Sequence, residues 1–171
     1  MDRPKGNGLR KYGMPPVARN DARLFILGSL PGDASLAARQ YYAHPRNAFW
    51  RLIGEVIDED LQSLAYQARL DRLIASRIGL WDVVAHAERR GSLDQAIRSV
   101  GHNPLSDYFS SLPELEAVAF NGARAALAGR PLLASMKRLR LIELPSSSPA
   151  NTRPFGEKAA AWGELRQIFG G

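Results

Sequence analysis

Four short apolar runs along the chain predict buried β-strands. They lie at Arg23–Gly28, Gly79–Val84, Leu115–Phe120 and Leu139–Leu144. Runs of this length that are continuously apolar, rather than alternating, are typical of strands covered on both faces. Strands buried in this way belong to parallel sheets, so the pattern favours a parallel sheet at the centre of the fold.

Between these runs, apolar residues recur at helical spacing. The pattern predicts helices at Ser35–Gln40, Arg46–Ile57, Leu61–Arg77, Leu93–Val100, Leu105–Leu112 and Glu157–Phe169, and another that begins with Ala123–Ala128. Alternating strands and helices predict an α/β fold, a three-layer sandwich with a central four-stranded parallel sheet and helices on both faces. Ligands of such folds bind at the carboxyl ends of the strands, which places candidate chemistry in the loops that follow them.

Composition predicts one domain preceded by a short arm. The chain has 171 residues, a common size for one domain. Its beginning is basic and rich in glycine and proline, so we expect a flexible or wrapped arm over residues 1–21 and a single α/β domain over residues 22–171, starting near Ala22. A membrane-length apolar run, a secretory signal and cysteine are all absent, which together predict a cytoplasmic protein.

Charge adds a candidate partner. Lysine and arginine number 23 against 17 aspartate and glutamate, and 19 of the basic residues are arginine. A small basic domain is a candidate for binding nucleic acid, because phosphate neutralisation dominates such affinity. An arginine-rich proteome explains the same excess equally well, so charge leaves both explanations open. The absence of cysteine excludes thiolate nucleophiles and zinc–thiolate sites.

The loop after the first strand contains two glycines. Gly28–Gly32 allows a ligand to approach the backbone closely, because glycine carries no side chain. The loop lacks the signatures of phosphate-binding and dinucleotide-binding loops. Taken alone, it is interpreted as an ordinary turn at the end of a strand.

The segment Tyr41–Trp50 is less ordinary. It combines aromatic rings that can stack a nucleobase with an asparagine that can read a base edge or orient water. Its last two aromatic residues are explained as core positions of the following helix, and His44 is more simply a structural residue. Tyr42 and Asn47 therefore stand out as candidate site residues.

Two further positions place polar groups next to strands. Asp82 lies in an apolar strand, where a carboxylate needs a partner, so it either pairs with Arg89 or Arg90 or accepts an N–H from a ligand. The loop Pro145–Asn151 follows the last strand and contains three consecutive serines. These serines can donate hydrogen bonds to phosphates, although a plain polar connection would have the same composition.

Taken in order, these loops resemble the uracil-DNA glycosylase superfamily, and within it the DNA-deoxyinosine (hypoxanthine-DNA) glycosylase branch. The resemblance spans nearly all of Leu24–Phe169 and rests on the motifs ILGSLPG, QYYAHPRNAFWRLI, GLWDVV followed by RRGSLD, FNG and LPSSSPAN. The piece AHP-x-N-x-FW also resembles the mismatch-specific uracil glycosylases. One departure is Leu30, which stands where many members have an aspartate or asparagine that activates or positions water.

The resemblance implies a set of site residues. Asn47 takes the catalytic role, and Tyr42 stacks the extruded base. The other expected base-binding residues are Ser29, Leu30, Asp82 and Asn121, and the expected DNA-binding residues are Arg46, Ser146, Ser147, Ser148 and Asn151. No metal and no cofactor is implied.

The activity implied by the resemblance is hydrolysis of the N-glycosidic bond of deoxyinosine in double-stranded, or also single-stranded, DNA. No lysine falls in the motifs, so we expect a monofunctional enzyme that leaves an abasic site. One alternative is a preference for uracil or xanthine, and another is a non-catalytic DNA-binding module on the same fold. A flavodoxin-like nucleotide binder is more distant. We expect a monomer with no membrane association.

Overall fold

The computed structural model describes residues 10–170, which alternate between strands and helices. In chain order the elements are β1 (Arg10–Tyr12), β2 (Leu24–Gly28), α1 (Asp33–Ala38), α2 (Phe49–Ile57), α3 (Tyr66–Ala75), β3 (Ile78–Asp82), β4 (Val84–Glu88), β5 (Arg98–His102), α4 (Leu105–Ser110), β6 (Ala117–Asn121), α5 (Ala123–Leu133), β7 (Arg140–Leu144) and α6 (Phe155–Gly163). Short 3-10 turns cover Asp94–Ala96 and Glu164–Phe169.

Four parallel strands form the central sheet in the order β3-β2-β6-β7. Every position of β2, β3 and β6 is buried, as the continuous apolar runs predict. β7 lies at an edge of the sheet, and it alternates in part because Arg140 and Glu143 are exposed. The four predicted strands and their parallel arrangement are confirmed, with bounds shifted by one or two residues.

Helices cover both faces of this sheet. In β2, Leu24 and Ile26 pack with α2, α3 and α6, whereas Phe25 and Leu27 pack with α4 and α5. This division follows from the alternation of side chains along a strand. The largest buried side chain, Trp162 of α6, lies in the first of these two cores. The predicted three-layer α/β sandwich is therefore confirmed.

A second, antiparallel sheet was not expected. Its strand order is β1-β4-β5, and β5 occupies part of the segment 93–100 for which we predicted a helix. That helix prediction is wrong, because β4 continues directly after β3 and offers β5 an antiparallel partner. Gly101 permits the pairing, since a side chain at this position would collide with the ring of His86.

The described part of the N-terminal arm is wrapped onto the domain. Arg10–Tyr12 pairs with β4, Met14 is buried, and Val17 forms a bridge with Leu80 of β3. The sequence left a flexible and a wrapped arm open, and the described part is wrapped, because the backbone N–H groups of Gly13 and Val17 donate to carbonyls of the domain. Residues 1–9 lie outside the described residues.

Three helices differ most from their predicted bounds. The helix predicted to start at Arg46 starts at Phe49 as α2, and a turn precedes it. The helix predicted to start at Leu61 starts at Tyr66 as α3, after a loop. The last helix, α6, ends at Gly163 and continues as a 3-10 turn. Within residues 10–170, no helix is both long enough and apolar enough to cross a membrane.

Candidate active site

A cleft of about 660 Å³ lies at the carboxyl ends of the four parallel strands. Its lining comes from the loops that follow β2 and β7, from the last residues of β3 and β6, and from the segment before α2. These are the loops in which the sequence concentrates its polar and aromatic candidates. The parallel sheet brings them together because all four strands end at the same edge.

Gly28 forms a point on which two candidate groups converge. It is paired with Asp82 across β2 and β3. A Cβ atom at position 28 would lie 2.6 Å from Asp82 Oδ1 and 3.3 Å from the Tyr42 hydroxyl oxygen. A side chain would therefore displace both groups, so glycine is required here by close approach. Asp82 is only 3% exposed, at the end of its strand, and it lines the cleft together with Tyr42.

The ring of Tyr42 is fixed by the hydrophobic core. It stacks on Phe49, with ring centroids 3.9 Å apart and an angle of 18° between the planes. Phe49 is the first residue of α2 and packs edge-on against Trp162. The backbone of Tyr42 has φ 54°, a left-handed conformation that costs free energy for a residue other than glycine. Such strain is typical of positions where a side chain is aimed at a ligand.

Tyr41 also borders the cleft, but its hydroxyl serves the fold. Its hydroxyl donates to Pro15 O at 2.7 Å, which ties the N-terminal segment to the domain. Burial raises the pKa of Tyr41 well above its ordinary value, and the negative charge of Asp82 raises that pKa further. The hydroxyl of Tyr41 is therefore assigned to the fold as a donor to Pro15 O.

Asn47 begins the turn that leads into α2. Its backbone N–H donates to His44 O at 2.9 Å, and its side-chain Oδ1 accepts the backbone N–H of Phe49 at 3.0 Å. The backbone donor fixes the orientation of the amide, because only the oxygen can accept it. The Nδ2 group of Asn47 is therefore the part of the side chain that can donate to a ligand in the cleft, which this residue lines.

Two neighbours of Asn47 differ in their placement. His44 lines the cleft, and its Nδ1 accepts the backbone N–H of Arg46 at 3.1 Å. This contact agrees with the structural role expected for His44. Arg46 is exposed and lies beside the cleft without lining it. An exposed guanidinium next to a cleft is placed to meet a phosphate rather than a base.

The loop after β7 is held by Asn121. The Nδ2 group of Asn121 donates to Ser147 Oγ at 2.8 Å, and Ser147 N donates to Asn121 Oδ1 at 2.9 Å. Ser147 is 1% exposed, and its carbonyl accepts the backbone N–H of Ala48 at 3.0 Å. Both side chains are thus engaged with each other. They join the serine loop (Pro145–Asn151) to the sheet and to the segment that carries Asn47.

The other polar residues of the serine loop line the cleft. Ser146 Oγ accepts the N–H of Ser148, and Ser148 Oγ accepts the N–H of Ala150. Each serine oxygen accepts a backbone donor, which leaves its O–H able to donate to an anion. Asn151 Nδ2 donates to Ser146 O at 3.0 Å and closes the loop on itself.

Lys158 supports the serine loop from α6 and was missed by the sequence analysis. It is 4% exposed, and its ammonium donates to Asn151 O at 2.9 Å and to Ser148 O at 3.3 Å. Burial lowers the pKa of Lys158 below its ordinary value. The signal available in the sequence was a single lysine within an otherwise apolar stretch of the predicted last helix.

Arg89 supports the loop after β2 in the same manner. Its guanidinium donates to Pro31 O at 2.6 Å, to Gly91 O at 2.6 Å and to Leu30 O at 3.3 Å. Sequence reasoning considered Arg89 only as a partner of Asp82. Leu30 is buried in a small apolar cluster and also lines the cleft, so it has a packing role beside the site. Ser29 is also buried and lines the cleft.

The parallel sheet and the cleft at its carboxyl edge define a class of protein. The profile of the uracil DNA glycosylase superfamily matches residues 15–167, and the chain belongs to this superfamily. The resemblance inferred from the loops of the sequence is thereby confirmed.

Individual relatives refine the comparison. A hypoxanthine DNA glycosylase of Methanosarcina barkeri is 43% identical over 156 residues, which cover 91% of this chain and 98% of the relative. A hypoxanthine DNA glycosylase of Methanosarcina acetivorans is 41% identical over 152 residues, which cover 89% and 95%. A solution structure from Methanosarcina acetivorans, described as a candidate uracil DNA glycosylase, has a TM-score of 0.85 at 40% identity and covers 94% of this chain and 99% of that one.

Proposed function

We propose that this protein is a DNA glycosylase that hydrolyses the N-glycosidic bond of deoxyinosine. The observation that carries the proposal is the convergence of Tyr42, Asn47 and Asp82 on one cleft at the carboxyl edge of the sheet. Membership of the superfamily and the names of the two relatives support a DNA substrate and hypoxanthine as the base. The cleft volume of about 660 Å³ falls in the range of small-molecule sites.

DNA is bound through its phosphates in this proposal. The chain has a formal net charge of +6, and Arg46 lies exposed at the cleft. The O–H groups of Ser146 and Ser148 and the amide of Asn151 supply hydrogen bonds to the backbone near the lesion. Ser147 is assigned to holding the loop rather than to contacting DNA, because its side chain is bonded to Asn121.

The target base leaves the helix before it reacts, since its glycosidic bond is inaccessible in the duplex. Unstacking and unpairing cost a few kcal/mol, and the cost is smallest at a mispaired base such as hypoxanthine, which favours the lesion. Double-stranded DNA containing a deaminated base is therefore the proposed substrate. A single strand that contains the same base is also accepted in this proposal.

Recognition of the base is assigned to Tyr42 and Asp82. The Tyr42 ring, held by Phe49, stacks the extruded base. The Asp82 carboxylate accepts the N1–H of hypoxanthine over Gly28, where the backbone carries no obstructing side chain. Adenine has a lone pair at N1 instead of a hydrogen, so it repels a carboxylate placed there. This arrangement distinguishes hypoxanthine from the base it derives from.

The chemical step breaks the bond between C1′ and the purine. Positive charge develops on the sugar, and the purine leaves as an anion with the bonding electron pair. Water adds to C1′ and loses a proton, and the departing purine anion takes up a proton, so that the products are the abasic sugar and neutral hypoxanthine. Asn47 presents a donor to the cleft because its Oδ1 is engaged by Phe49 N. A donor suits the negative charge that develops on the departing purine, so we assign Asn47 to stabilising that charge rather than to abstracting a proton.

The product is proposed to be an abasic site. Among the described residues that line the cleft there is no lysine, and Lys158 is buried behind the serine loop. The protein is proposed to act as a monomer with one α/β domain, in the cytoplasm. Analytical ultracentrifugation of the protein with and without duplex DNA tests the monomer.

A panel of lesions tests the proposal. Duplexes that carry hypoxanthine, uracil or xanthine are incubated with excess protein and then treated with alkali, which cleaves abasic sites. We expect complete cleavage of the duplex that carries hypoxanthine, and slower cleavage of the duplexes that carry uracil or xanthine. Faster cleavage on uracil or xanthine would favour the alternative preference, and tight binding without cleavage would favour a non-catalytic binding module.

A further inference from the structure

The turn between β4 and β5 supplies part of the cleft rim. Ser92, Leu93 and Gln95 line the same cleft as the serine loop, although the sequence predicted a helix for this segment. Leu93 is 49% exposed. Across residues 10–170, the other large apolar side chains that are exposed are Tyr12, Val100 and Leu127, and the cleft lining includes none of these three.

The position of this turn is fixed by neighbouring contacts. Ser92 Oγ accepts the backbone N–H of Asp33 at 2.9 Å, and Arg89 binds carbonyls on both sides of the gap between the turn and the loop after β2. On the other side of Leu93, Ile97 is buried in the apolar cluster that contains Leu30. The turn is thus tied to the cleft at both ends, while Leu93 keeps its side chain outside the core.

An exposed leucine on a rigid rim has a specific use in a DNA glycosylase. Extruding a nucleotide leaves a gap in the base stack, and DNA-bending proteins fill such gaps with apolar side chains. The exposed residues of the serine loop are Pro149 and Ala150, which are both short. Leu93 is longer and apolar, and Arg90, exposed three residues earlier in the same turn, can hold a phosphate.

We propose that Leu93 inserts into the DNA base stack beside the extruded nucleotide and keeps that nucleotide in the cleft. This inference rests on the proposed function, since it requires a base-extruding enzyme. It assigns the β4–β5 turn as a second DNA-contacting rim, in addition to the serine loop. Leu93 is a positioning residue, because it acts on the DNA around the target and not on the reacting atoms.

The experiment measures single-turnover excision of hypoxanthine from duplex and from single-stranded DNA. Leu93→Ala is expected to lower the rate on the duplex by ~10-fold or more and to change the rate on the single strand much less, because only the duplex must be unstacked and held open. Leu93→Met keeps an apolar side chain of similar length and is expected to retain the rate. Leu127→Ala is the matched control, since Leu127 is 73% exposed on α5 and does not line the cleft.

A chemical rescue separates insertion from a structural role. A pyrene nucleotide placed opposite hypoxanthine fills the gap in the stack, so it is expected to restore the Leu93→Ala rate to within a few-fold of the unsubstituted protein. Equal losses on duplex and single strand, or no rescue by pyrene, would overturn the inference. A pyrene-rescued loss in Pro149→Ala, with a normal rate in Leu93→Ala, would assign insertion to the serine loop instead.

The two proposals fail in different ways. If the unsubstituted protein excises hypoxanthine and Leu93→Ala matches it on duplex DNA, only the role of Leu93 is contradicted. If the unsubstituted protein leaves no abasic site on any of the three lesions, the proposed function falls and the role of Leu93 falls with it.

Discussion

Asn47 uses the two ends of its side-chain amide for different purposes. The oxygen satisfies a backbone donor at the start of α2, and the nitrogen is left for the cleft. Asp82 is fixed by its place in β3 and Tyr42 by its stacking on Phe49. The polar atoms of both side chains lie beside Gly28. At the scale of single residues, the site is therefore built from side chains whose orientation the fold already determines.

Replacing Asp82 tests base recognition. Asp82→Asn offers both an acceptor and a donor, so it weakens the bond to hypoxanthine N1–H and no longer repels adenine N1. A hydrogen bond to a charged group contributes about 1.5–3 kcal/mol, so we expect hypoxanthine excision to fall roughly ten- to a hundredfold. The ratio of hypoxanthine to adenine excision should narrow as well. Asp107→Asn, at an exposed position on α4, is the control, and an unchanged ratio in Asp82→Asn would remove Asp82 from base reading.

Replacing Tyr42 tests stacking. Tyr42→Ala removes a base–aromatic contact worth about 1–3 kcal/mol, and single-turnover excision should fall accordingly. Tyr42→Phe keeps the ring and its contact with Phe49, so it should retain most of the rate. If Tyr42→Ala has the rate of the unsubstituted protein, the ring does not stack the base.

At the scale of elements, two buried cations shape the loops that form the cleft. Arg89 binds carbonyls of the loop after β2, and Lys158 binds carbonyls of the serine loop. The hydrogen bonds of both side chains end on backbone carbonyl oxygens rather than on carboxylates. By binding these carbonyls, the two buried cations hold the loops in place, and neither cation lines the cleft itself.

Lys158 makes the stability of the fold depend on pH. Burial lowers the pKa of Lys158 in the folded protein below its value of 10.5 in the unfolded chain. Between these two pKa values the unfolded chain binds more protons, so this lysine makes the fold more stable as pH rises through that window. The free energy of unfolding is measured by denaturant for the protein and for Lys158→Met at increasing pH. The unsubstituted protein should gain stability relative to the variant as pH rises. A difference that is constant up to pH 10.5 would contradict an altered pKa.

The sequence predicted the central sheet well and the rim poorly. Continuous apolar runs define β2, β3, β6 and β7 because both faces of each strand are covered. The segment 93–102 has no such signal, since its strand pairs at an edge and Leu93 stays exposed. The contacts of Arg89 and Lys158 were also beyond sequence reasoning, because backbone carbonyls carry no residue-specific pattern.

At the scale of the whole molecule, the parallel sheet assembles the site. Residues from Gly28 to Asn151 are far apart in the chain, yet they line one cleft because four strands end at one edge. Tyr42 and Asn47 were predicted to meet in this cleft, and both line it. The sequence left a flexible and a wrapped arm open, and in the described part Arg10–Tyr12 pairs with the second sheet while Val17 forms a bridge to the central one.

The most direct test is Asn47→Asp, compared with Asn47→Ala. Aspartate keeps the oxygen that accepts the backbone N–H of Phe49, so the thermal midpoint should stay near that of the unsubstituted protein. Alanine loses this bond and should cost about 0.5–1.5 kcal/mol of stability, the usual net contribution of one hydrogen bond.

Both variants lack the donor, so single-turnover excision of hypoxanthine at saturating protein should fall by about a hundredfold or more in each. Excision by Asn47→Asp within a few-fold of the unsubstituted rate would contradict the central claim that the Asn47 amide donates to the departing base.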